Sequence, residues 1–126
     1  MQRRAINAAD APPAIGYARA IEVSGGVRTL HVSGQTPVDA EGRCPDGFDA
    51  QCRLAWRNVI AQLAAAGMSL TDLVKVTIYL ADRRHGLANR AIRQEVLGGH
   101  LIASTVIISG LFDQAWLIEI EAVAVA

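Results

Sequence analysis

Glu119 and Glu121 stand two residues apart in the stretch WLIEIEAVAVA, residues 116–126. Side chains alternate along an extended strand, so both carboxylates share a face with Leu117, Val123 and Val125, while Ile118, Ile120, Ala122 and Ala124 take the other. The second set is a core face. The first mixes acid with bulky apolar groups, which suits a partly dry cleft or an ion-paired interface better than open water. The remaining reactive groups are scattered. Ser33 has no visible histidine–acid partner, which points to hydrogen bonding and away from nucleophilic attack. His31, His85 and His100 lack spaced carboxylate partners, so no metal is expected. Cys44 and Cys52 fit no zinc or redox spacing and are expected to be free thiols. Arg84, Arg90 and Arg93 are expected on the solvated face of a helix.

The elements that must position these groups follow from periodicity. Residues 17–24 and 27–33 are predicted to pair as a hairpin around Gly25-Gly26. The Gly/Pro/Asp-rich stretch SGQTPVDAEGRCPDGFD reads as loop with at most a short strand. A helix is predicted over 49–66, with Cys52, Ala55, Trp56, Val59, Ile60 and Leu63 as its buried stripe, Asp46 or Asp49 as its cap and Gly67 as its end. Ser69 with Asp72 caps a short turn, and Val74, Val76, Ile78 and Leu80 then alternate with Lys75, Thr77 and Tyr79 as a strand. A second helix over 84–97 is predicted to bury Leu87, Ala88, Ala91, Ile92 and Val96 and to end at Gly98-Gly99. Strands at 101–109 and 116–125 complete a single domain, 1–126.

Two helices can cover only one face of such a sheet. The other face carries Leu117, Val123, Val125, Tyr79 and Ile107, an apolar extent that marks association. The Glu119 face is therefore expected to meet another copy of the chain. Twelve basic residues balance twelve acidic ones, which argues against nucleic acid as a partner. No apolar run approaches a membrane span, and no signal peptide is visible, so a cytoplasmic location is expected.

Several motifs together resemble the RidA/YjgF family: APPAIGYARAI at 11–21, VSGQTPVD at 32–39, DAQCRLAWRNVIAQLAAAGMSLTDLVKVTIYLAD at 49–82, Asn89, ST at 104–105 and IEIEAVAV at 118–125. The resemblance implies an α+β, chorismate-mutase-like fold: a five- to six-stranded mixed sheet with two helices on one face, assembled as a homotrimer with sheets inside. It implies a small-molecule ligand in clefts between subunits, and hydrolysis of reactive imines and enamines such as 2-aminoacrylate without metal or organic cofactor. Carried over by motif, Tyr17, Ser33, Gly34 and Asn89 are cleft residues, and Glu119 is the glutamate associated with the attacking water. Three positions depart from the family's active pattern. The proline before Tyr17 is absent, Ala103 replaces the arginine that binds the substrate carboxylate, and Thr105 stands where cysteine is common. Removing one partner of a buried charge pair costs on the order of 2–5 kcal/mol. The expectation is therefore an imine or enamine other than 2-aminoacrylate, or a non-catalytic trimer that binds a metabolite or a protein. His100, three residues before Ala103, and the helix arginines are the available substitute cations.

Overall fold

The computed structural model describes residues 1–126. In chain order the elements are β1 (Gln2–Ile6), β2 (Ala20–Ser24), β3 (Thr29–Gln35), α1 (Phe48–Ala65), β4 (Leu73–Leu80), α2 (Gly86–Leu97), β5 (Ala103–Ile108) and β6 (Ile118–Val125), with 3-10 turns at Leu70–Asp72 and Arg83–His85. The six strands divide into a four-stranded mixed sheet, ordered β3-β6-β4-β5, and a separate two-stranded ribbon of β1 and β2. No helix is long and apolar enough to cross a membrane.

The expected hairpin around Gly25-Gly26 does not form. β2 pairs with β1, and β3 pairs with β6, so the glycines join two sheets rather than two neighbouring strands. The reason lies in the connection. The amides of Val27 and Arg28 both donate to the carbonyl of Ala126, at 3.1 and 2.8 Å, which draws residues 27 and 28 toward the end of β6 and away from a tight turn. The sequence QRRAI of β1 gave no sign of this partner, because it is short, charged and not alternating.

The core follows the alternation closely. Val76, Ile78 and Leu80 of β4 and Ile118, Ile120, Ala122 and Ala124 of β6 are buried against Cys52, Ala55, Trp56, Val59 and Leu63 of α1. Ile60 lies partly outside that stripe. Gly47, not an aspartate, occupies the α1 cap, and Asp49 sits inside the first turn. Ser69 and Asp72 do form their reciprocal cap. Gln51, at the start of α1, is buried and bonds across the fold: its amide donates to the carbonyls of Pro45 and Ala115, and its oxygen accepts from the Leu117 amide.

The largest departure is the rotation of α2. It buries Asn89, Ile92, Arg93 and Leu97. Leu87, predicted to be core, is 78% exposed. Its neighbours explain the rotation, because α2 crosses between the parallel pair β4 and β5 and turns Asn89 and Arg93, four residues apart on one helical face, toward the β5 edge.

Candidate functional site

Two groups of polar side chains form on opposite sides of the sheet. The first occupies a cleft of about 490 Å³ between α2 and β5, lined by Tyr17, Asn89, Arg93 and Ser104, with Arg83 and Arg90 at its rim. Ala18 bridges to Ala103 and so fixes the preceding Tyr17 loop against β5. The Tyr17 ring lies between two guanidinium groups, with Arg19 at 5.2 Å and Arg93 at 5.9 Å from its centroid. Arg93 Nη1 donates to Ser104 Oγ at 3.4 Å, while its Nε and the Oδ1 of Asn89 are buried without a partner. Burial, then the charge of Arg90, holds the Arg93 guanidinium below its ordinary pKa, partly offset by Tyr17. An arginine remains charged at neutral pH all the same. The expectation that Arg93 belongs to a solvated helix face is thus corrected: it is only 5% exposed.

The second group lies on the sheet face that the helices leave uncovered. His31, Ser33, Lys75, Thr77, Glu121 and Val123 line a cavity of about 390 Å³ there. Between Val32 and Gln35 the β3–β6 register slips, so Ser33 and Gly34 form a bulge against Glu121. Such bulges re-aim side chains. Here the missing Cβ of Gly34 makes room for the Glu119 carboxylate: a Cβ would collide with Oε2 and lie 2.9 Å from Cδ. The two glutamates differ in their partners. Tyr79 donates its hydroxyl to Glu121 Oε1 at 2.7 Å, and that bond, followed by burial and the charges of Glu121 and Glu119, pushes the phenol's pKa up. Glu119 sits opposite Tyr79 in register and makes no hydrogen bond or ion pair within the chain.

The eight residues expected at one site are therefore split. Tyr17 and Asn89 belong to the cleft on the helix side, Ser33, Gly34 and Glu119 to the uncovered face. Ala103 and Thr105 pair in register with Lys75 and Thr77 and point to the same uncovered side, where Lys75 Nζ donates to Thr105 Oγ1 at 2.6 Å. His100 joins neither group. Its Nε2 is 2.8 Å from the Leu73 carbonyl, beside the β1–β2 ribbon with Arg3 and Ile21. Sequence reasoning held Arg93 only as one of several substitute cations and missed Ser104 as its partner. The signal available was the spacing of Asn89 and Arg93, which the competing stripe through Leu87 obscured.

This fold is that of the RidA/YjgF family, to which the chain belongs. Residues 8–126 match the family described as Endoribonuclease L-PSP. The 2-iminobutanoate/2-iminopropanoate deaminase of Rattus norvegicus is 35% identical over 126 residues, covering 98% of this chain and 90% of that protein. The DfrA protein of Myxococcus xanthus is 36% identical, covering 100% and 98% respectively. Among solved structures, the conserved Rid family protein YyfB of Yersinia pestis superposes with a TM-score of 0.90 at 30% identity, covering 100% of both chains. That Yersinia protein is described as one of unknown function.

Proposed function

We propose that this chain is a cytoplasmic hydrolase of a small imine or enamine other than 2-aminoacrylate, working in clefts between the subunits of a homotrimer. The deaminase relatives support the reaction class. The observation that carries the reading is the difference between the two β6 carboxylates. Glu121 is bonded by Tyr79, whereas Glu119 is half-buried, unpaired and set beside a glycine. A fixed carboxylate with free lone pairs suits orienting a water and accepting its proton as the oxygen attacks an iminium carbon. The C–N double bond opens to a carbinolamine. Proton transfer to its nitrogen then expels ammonia and leaves a carbonyl compound.

One copy holds the two halves of this machinery on opposite sides of its sheet. A second copy docked on the uncovered face would bring Glu119 and Ser33 of one subunit toward Tyr17 and Asn89 of its neighbour. Ala103 removes the family's guanidinium from β5 and supports both the altered specificity and a second reading, a trimer that binds a metabolite without turnover.

An amino-acid oxidase that generates 2-imino acids in place, with ammonia release followed in the presence and absence of the protein, tests the reading. At least one imine is expected to be hydrolysed faster with the protein, and 2-aminoacrylate from a dehydratase less so. Glu119→Gln is expected to lower turnover by about 10²–10⁴, and Glu121→Gln to retain most of it. Equal rates with and without the protein across the series would put the binding reading first.

A further inference from the structure

We propose that Arg93, reaching from α2, is the anion clamp of this chain, and that the cleft between α2 and β5 binds a small carboxylate. A buried charge is costly unless something of opposite sign meets it. Arg93 is 5% exposed, yet no carboxylate lines its cleft and no ion pair within the chain includes it. Its one side-chain bond, to Ser104, is long, and its Nε is buried without a partner. A guanidinium that lacks an acidic partner offers its planar fork for two parallel bonds to a carboxylate. Arg83 and Arg90 at the rim add to a positive field that nothing in the lining opposes.

The neighbouring groups extend the argument. Asn89 lies one helical turn before Arg93 and is 1% exposed, with Oδ1 unpartnered. That oxygen can accept an N–H from a ligand whose carboxylate rests on Arg93. The Tyr17 ring covers the guanidinium. The site also differs in place from an arginine at position 103. Ala103 shares the uncovered face with Lys75, whereas Ser104, the partner of Arg93, faces the helix side. The anion would therefore approach the β5 edge from α2. This assignment rests on the deaminase reading for the ligand's imine N–H, and on the cleft alone for its carboxylate.

Calorimetric titration with pyruvate and with its neutral isostere, methyl pyruvate, tests the clamp without requiring turnover. The natural chain is expected to bind pyruvate more tightly by about tenfold or more. Arg93→Gln should weaken pyruvate binding by about ten- to a hundredfold while leaving methyl pyruvate unaffected, and Arg93→Lys should fall between. Thermal melting establishes that each variant is folded. The comparison of the two ligands on the natural chain stands even if Arg93→Gln does not fold. Equal binding of acid and ester, no binding of pyruvate, or a loss that follows Arg90→Gln and not Arg93→Gln would overturn the assignment. A protein that binds pyruvate through Arg93 but hydrolyses no imine would keep the clamp and lose the deaminase reading. Imine hydrolysis insensitive to Arg93→Gln would do the reverse.

Discussion

Gly34 and Glu119 form the most constrained contact on the uncovered face. Adding one methyl group at position 34 would strike the carboxylate of Glu119, whose end can swing aside because it is a flexible side chain on a partly open surface. Gly34→Ala is therefore expected to change the denaturation midpoint little and to reduce deaminase turnover strongly, since the carboxylate can no longer rest where the bulge places it. Retained turnover in a folded Gly34→Ala protein would separate Glu119 from the chemistry. Glu121 has a different consequence. Its bond stabilises the protonated phenol of Tyr79, so Tyr79 should ionise at lower pH in Glu121→Gln than in the natural chain, as read by phenolate absorbance. The sign for stability follows: a phenol whose pKa is raised by folding contributes below its unfolded pKa and loses that contribution as pH rises through the folded value. At this scale the sequence was informative about the faces of β4 and β6 and poor about the face of α2. Period-two alternation separated Glu119 from the core without ambiguity. Arg93 was weighed as a substitute cation but expected on a solvated face, because the stripe through Leu87 obscured the spacing of Asn89 and Arg93 that turns both toward a strand edge.

Among the elements, α1 has the most clearly written end. Gly67 takes φ of 71° after the helix. Its amide donates to the Ala64 carbonyl at 3.0 Å, and the Met68 amide donates to the Leu63 carbonyl at 2.8 Å. Those two bonds close the helix in a Schellman arrangement, with Met68 and Leu63 both in the core. A side chain in the left-handed region costs roughly 1–2 kcal/mol. Gly67→Ala should lower stability by about that amount without affecting ligand binding, when denaturation midpoints are compared at equal protein concentration. This glycine, the stripe of α1 and the strand at β4 were all legible, because each is a local signal. The β1–β2 ribbon was not. Its pairing joins residues with no alternation, and the Gly-Gly signal that should mark a hairpin is used to pass from one sheet to the other.

In the whole molecule, both helices lie on one side of the four-stranded sheet, and the other side keeps Lys75, Thr77, Tyr79, Val123 and Val125 only half-covered. On the outer strand, Val106, Ile107 and Ile108 are each more than 40% exposed. We expect a trimer by light scattering, and expect Ile107→Asp, which puts a charge on the uncovered face opposite Tyr79, to shift it toward monomer and to abolish turnover together. A natural chain that scatters as a stable monomer would remove the shared cleft.

Gln51 carries a consequence for the order in which the chain takes shape. Its amide meets groups at 45, 115 and 117, so the start of the first helix is completed by residues 64 and 66 positions further along the chain. β3 likewise waits for β6. Until residues 115–125 arrive, the preceding part of the protein holds an unsatisfied amide and an unpaired strand edge, the two features that invite pairing with a neighbouring nascent chain. If those long-range bonds form after the barrier is crossed, replacing Gln51 should speed unfolding and leave the folding rate nearly unchanged, as read by denaturant-jump kinetics.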